Sequence, residues 1–148
     1  MGFWWHIEWP EEVRRQTLRY IRNDKDGNLI SINVLEYATV IINYVASTFY
    51  FTKISPDPTD LYPVVLIEAD NTTSESWVIK GCKVSLIGRA LGRLQCALMI
   101  TNPVGINAGH VSTNDNFIAD GISRIATASN ADSYFTSLQQ VYPQLRSC

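Results

Sequence analysis

Histidine and cysteine are scarce in this chain, with two and three copies among 148 residues. Cys82, Cys96 and Cys148 form no CxxC pair, and no histidine stands at zinc-ligand spacing from them. A structural zinc centre and other soft-metal sites are therefore not expected. An odd, scattered set of thiols fits reduced cysteines in an intracellular protein, cytoplasmic or nuclear, better than a disulfide framework. No apolar run approaches the length of a membrane span, so no membrane partner is expected. The apolar start, residues 2–9, is too short and too aromatic for the core of a signal peptide. Strong charge is also missing. Twelve basic and 14 acidic residues leave a net charge of −2, so any polyanion must be held by a local patch. There are no internal repeats.

What is present is a globular composition, 46% hydrophobic and 18% charged, at a length that suits one domain with a real core. Gly2-Phe3-Trp4-Trp5-His6-Ile7-Glu8-Trp9 is aromatic and β-prone, and Pro10 ends it. Residues 11–22 suit a short helix or an ordered loop. Asn23-Asp24-Lys25-Asp26-Gly27-Asn28 carries turn chemistry, and residues 29–32 read as a short strand. A helix is expected from Asn33 to about Ala46, apolar on nearly every face and hence buried. A loop with Pro56, Pro58 and Pro63 follows from residue 48. Residues 64–69 form an apolar strand interrupted only by Glu68, of the kind found inside a parallel or mixed sheet. Two helical stretches, 75–79 and 85–100, flank Gly81. Residues 105–111 read as a last strand, and residues 115–125 as a short helix. The order predicts an α/β domain with a mixed sheet over residues 1–125. Residues 126–148 form a polar tail or linker that could hold one more amphipathic element.

Three acids stand at element ends. Glu36 lies in the first turn of an apolar helix. With Asn33 it could form a capping box, or it could be a carboxylate aimed at a metal. Asp70 ends the strand 64–69, and ligand sites in α/β sheets gather at carboxyl ends of strands. Glu68 shares its parity and is a rival; an ordinary turn aspartate is the plain alternative. Asp120 sits on a short helix and could be a solvated surface acid. Together, three carboxylates on separate elements match what a Mg²⁺-dependent phosphodiesterase needs, since Mg²⁺ takes hard oxygen ligands. Such a set should converge within roughly 8 Å, the reach of two bridged ions.

Three motifs in order carry a resemblance. Ile32-Asn33-Val34-Leu35-Glu36 opens a helix. Leu66-Ile67-Glu68-Ala69-Asp70-Asn71-Thr72-Thr73 ends a strand in Asp-Asn-Thr. His110 and Asn116 are followed by Ala119-Asp120-Gly121-Ile122-Ser123-Arg124. The run from residue 2 to about 124 resembles the ribonuclease H-like domain of retroelement reverse transcriptases, DIRS-type or related. The resemblance implies a five-stranded mixed sheet flanked by helices, and metal-dependent cutting of the RNA strand of RNA–DNA hybrids. It implies Glu36, Asp70 and Asp120 as ligands of two Mg²⁺ or Mn²⁺ ions. Asn71, His110 and Asn116 would support them, His110 without a catalytic role. The partners implied are the hybrid and the reverse transcriptase domain of the same polyprotein. The family's first acid is an Asp on a central strand upstream of the segment matching Gly2-Phe3-Trp4-Trp5. Only Met1 precedes that segment here, and no Asp precedes Asp24. The expectation is an N-terminally truncated domain lacking the first central strand, and inactive by itself.

Between Ser76 and Asn114 there is no acidic residue, while Lys80, Lys83, Arg89 and Arg93 all fall there. Their i, i+3 and i, i+4 spacings allow a shared face that could hold phosphates, or one that is merely solvated. Arg14, Arg15, Arg19 and Arg22 form a second basic group, offset in part by Glu11 and Glu12. Trp4, Trp5 and Trp9 could stack on bases but fit a core better. Two other readings stay open: a catalytically inactive remnant that at most binds nucleic acid, and another member of the same fold class such as an integrase. The Ala119-Asp120 motif speaks against the integrase.

Overall fold

The structure, a computed structural model, describes residues 2–4, 7–21, 30–53, 63–125, 136–137, 139–140, 143 and 145–147. In chain order its elements are β1 (Gly2–Trp4), α1 (Glu11–Ile21), α2 (Ile32–Lys53), β2 (Val64–Ala69), α3 (Thr72–Lys80), α4 (Leu86–Thr101), β3 (Gly105–His110), α5 (Phe117–Ile125) and β4 (Leu145–Ser147). They fall into two compact units. One is Glu11–Val111; the other joins Met1–Pro10 to Ser112–Cys148.

The larger unit holds the α/β core. β2 and β3 pair in parallel, in register from Val64 opposite Gly105 to Ala69 opposite His110. A parallel pair needs a long crossover, and α3 with α4 supplies it. Asn71 caps α3: its side-chain oxygen accepts from the backbone N–H of Thr73 at 2.8 Å and of Ser74 at 3.3 Å. Gly81 ends that helix at φ 75°, in the left-handed region glycine favours, and Ser85 caps α4 through the N–H of Gly88. In the smaller unit β1 and β4 pair in parallel, Gly2 opposite Leu145.

Helix α2 supplies Val34, Tyr37, Val40, Ile41 and Tyr44 to a core completed by Val65, Ile67, Trp77, Cys82 and Val104. Two phenols fasten it. Tyr37 donates to Gln95 Oε1 of α4 at 2.6 Å, and Tyr44, wholly buried, donates to the Val104 carbonyl at 2.6 Å. The Tyr37 and Trp77 rings meet edge to face at 5.8 Å, an arrangement that satisfies their quadrupoles.

Several expectations are corrected. The described sheets are two parallel pairs, not one mixed sheet. The expected strand at 29–32 is absent where described: Ile30 and Ser31 carry no strand and Ile32 opens α2. Ser31 is the reason, since its hydroxyl and carbonyl both accept from the Val34 N–H and so begin the helix. The first strand is shorter than 2–9, for residues 7–10 are outside it. α2 runs beyond Ala46 to Lys53, because Thr48 satisfies its hydroxyl on the Tyr44 carbonyl at 2.8 Å instead of breaking the helix. Nor is α2 buried all round, as Val45 and Phe49 are exposed. β2 is covered on one face only. Val65 and Ile67 point inward, and Val64 and Leu66 are 62% and 59% exposed. β3 is not the last strand, since β4 follows. The turn expected at 23–28 and Trp5 and Arg22 lie outside the described residues. No helix among the described residues is long and apolar enough to cross a membrane.

Candidate functional site

Parallel pairing brings the carboxyl ends of β2 and β3 side by side, with His110 opposite Ala69 and the Val111 N–H bonded to the Ala69 carbonyl at 3.0 Å. Asp70 follows directly, exposed, at the place where α/β sheets gather their ligand sites. Asn71 comes next. While its oxygen caps α3, its amide nitrogen donates to Asn33 Oδ1 of α2 at 2.9 Å. That bond ties the first turn of α2 to the end of β2 and carries Glu36 to Asp70.

The expected capping box does not form. Ser31, not Asn33, caps α2, so Glu36 has no capping duty. Its residue is half-buried, and its Oε2 is buried with no hydrogen-bond partner among the described residues. Burial pushes its carboxyl above the usual 4.5, the Asp70 charge pushes the same way, and the Asn71 amide opposes them. Glu68 points outward with the parity of Asp70, but the carboxylate acting on Glu36 is that of Asp70. Asn33, a supporting residue not singled out as one from the sequence, was legible only as a capping type.

Asp120 belongs to the smaller unit. It lies half-buried in the first turn of α5, and its N–H bonds to the Asn116 carbonyl at 3.0 Å. Asn116 in turn bonds to the Ser112 carbonyl, so the turn leading into α5 is built from the motif's own residues. Among the described residues no three His, Cys, Asp or Glu side chains form a group that could hold a metal ion. The site in the larger unit is a carboxylate pair, Glu36 with Asp70, edged by Asn33 and Asn71. The donors are hard oxygens, one of them buried and unsatisfied, which suits Mg²⁺ or Mn²⁺.

Lys80, Arg89 and Arg93 line one groove over α3 and α4, and all three are exposed. Lys83 lies on the connection between those helices and is not among the lining residues. On α1 the arginines are already engaged. Arg14 pairs with Glu11 at 2.9 Å and Arg15 with Glu12, whose carboxyl is lowered by the Gln16 amide and then by Arg15. That leaves the α3–α4 face as the stronger candidate for phosphate.

No protein family, curated protein or solved structure matches the chain in comparison.

Proposed function

We propose that the chain carries a ribonuclease H-like, metal-dependent nuclease site of a reverse transcriptase polyprotein, acting on the RNA strand of an RNA–DNA hybrid. One observation carries this reading: a helix-borne glutamate is held beside the acid at a strand's carboxyl end, with a buried oxygen left unsatisfied. A group in that state is destabilised unless a proton or cation reaches it. Glu36 and Asp70 would hold the cation, the role that the resemblance implies for Asp120 as well. Asn71 bonds the Glu36 carboxylate directly and ties the start of α2 to the end of β2 through Asn33. A divalent ion held there would supply a more acidic water and offset charge on the phosphate. Lys80, Lys83, Arg89 and Arg93 would hold phosphates, with no reading of bases.

The absence of a third ligand beside the pair among the described residues favours a second reading, a remnant that binds nucleic acid without cutting it. One cleavage experiment separates the two. The chain alone, with hybrid and Mg²⁺ or Mn²⁺, is expected to be inactive, because the described residues bring two carboxylates together and no third ligand beside them. A version carrying an added N-terminal strand with a single Asp should cut, and changing that Asp to Asn should stop it. If the Asp and Asn versions are equally inert, the nuclease reading fails and the remnant stands. Binding is read separately. Changing the four cations to Gln should flatten the plot of log affinity against log salt by about 3 to 4. An unchanged slope would remove them from the interface.

A further inference from the structure

The groove over α3 and α4 is more than a basic face. Its volume is about 960 Å³, and the buried Tyr37 and Trp77 line it together with Ile106 and Asn107. Ile79, Met99 and Ile100 also line it, at 56%, 40% and 85% exposure, so apolar surface is continuous from the groove to solvent. Pockets for small organic ligands span about 300–1,000 Å³ and are lined mainly by apolar side chains with a few polar groups.

The polar groups of the lining decide the ligand's chemistry. Gln95 is committed within the fold, since its oxygen accepts from Tyr37 and its nitrogen donates to the Val78 carbonyl at 3.2 Å. The Asn107 oxygen accepts from the Ala108 N–H at 3.0 Å. The Gln95 amide is thus turned to the fold, while the Asn107 amide nitrogen can still donate to a ligand. The cations are different. Lys80, Arg89 and Arg93 border the groove, and among the described residues none is in an ion pair. No acid occurs anywhere from Ser76 to Asn114 to supply one locally.

We infer that this groove binds a free single-chain organic anion, an alkyl or acyl group ending in phosphate or carboxylate. The chain lies along Ile79, Met99 and Ile100, and the head pairs with Arg89, Arg93 and Lys80. Arg89 and Arg93 are one helical turn apart on α4, so a single tetrahedral head can reach both. The same cations serve the proposed hybrid surface, so ligand and hybrid compete there. The apolar contacts belong to the ligand alone.

The test titrates the intact chain with octyl phosphate and decyl phosphate below their micelle concentrations. Inorganic phosphate, adenosine monophosphate and anionic phosphatidylglycerol vesicles are the comparison arms. Decyl phosphate should bind at one site, about tenfold tighter than octyl phosphate, as burial of two further methylenes implies. Inorganic phosphate and the nucleotide should be weaker than either. R89Q with R93Q, both exposed positions, should remove binding. M99S with I100S should erase the chain-length dependence while leaving the salt slope for hybrid unchanged, which separates this proposal from the nuclease reading. Equal affinity for the two alkyl phosphates, tighter binding of the nucleotide, or binding only to vesicles would each overturn it.

Discussion

Glu36 is the residue on which the site turns, and its buried oxygen makes its proton a stability variable. The folded chain holds that proton more tightly than the unfolded chain, because burial and the Asp70 charge both disfavour the anion. Its contribution is therefore fully present below 4.5 and is lost as pH rises through the raised folded value. Glu36→Gln mimics the protonated form. In chelator it should raise the Tm at pH 7, with the gain shrinking as pH falls towards 4.5. A gain that persists unchanged at low pH would mean that ionisation is not the cause. Tyr37 gives a second test. Its phenol is pushed up to about 12, by burial first and then by the nearby Cys96 and Cys82, and it donates to the Gln95 oxygen. Tyr37→Phe strands that buried acceptor and should cost about 1–3 kcal/mol by denaturant unfolding. Glu36 and Asp70 were legible because each couples an acid to the end of an element. The relay through Asn71 and Asn33 was not, since a bond across 38 positions leaves no trace in local pattern. Likewise, Ser31 and Asn33 are both capping types two residues apart, and only geometry separates them.

Helices α2 and α4 carry the element-scale account. Two glycines one turn apart on α4 should respond oppositely to alanine. At Gly88 an added Cβ would come within 2.6 Å of Cys82 Sγ and 3.1 Å of the Trp77 ring, both in the core. At Gly92 its nearest neighbour is the Tyr37 hydroxyl at 3.6 Å, an ordinary contact. Gly92→Ala should therefore stabilise by about 0.5–1 kcal/mol through helix propensity. Gly88→Ala should destabilise by about 1–3 kcal/mol through overpacking. Equal effects of one sign would show that this close approach is misread. In α2, Ile41 is 4% exposed, and Ile41→Ala should cost about 2–5 kcal/mol. The presence of α2, β2, α3, α4 and β3 was legible from periodicity, caps and the Gly81 break. The far end of α2 was not, because the prolines from Pro56 onward suggested an earlier stop. Thr48 instead bonds back to the Tyr44 carbonyl and the helix continues to Lys53.

For the whole molecule, the α/β class and the parallel pairing of β2 with β3 agree with the element order. The single mixed sheet does not, because two of its expected strands fall at 2–9 and 29–32. Where described, those stretches give a three-residue strand and a helix start. The three acids are divided between two units, Glu36 and Asp70 in Glu11–Val111 and Asp120 in the other. The functional account therefore rests on the first two as a divalent-metal pair. The direct measurement is calorimetric titration of Mn²⁺ into the intact chain, with thermal unfolding of the same samples. Saturable binding is expected, with a rise in Tm that grows as the logarithm of metal once the site fills. Glu36→Gln and Asp70→Asn should each remove both signals, while Glu68→Gln should keep them. Undiminished Mn²⁺ binding in the Glu36→Gln and Asp70→Asn variants would contradict the account.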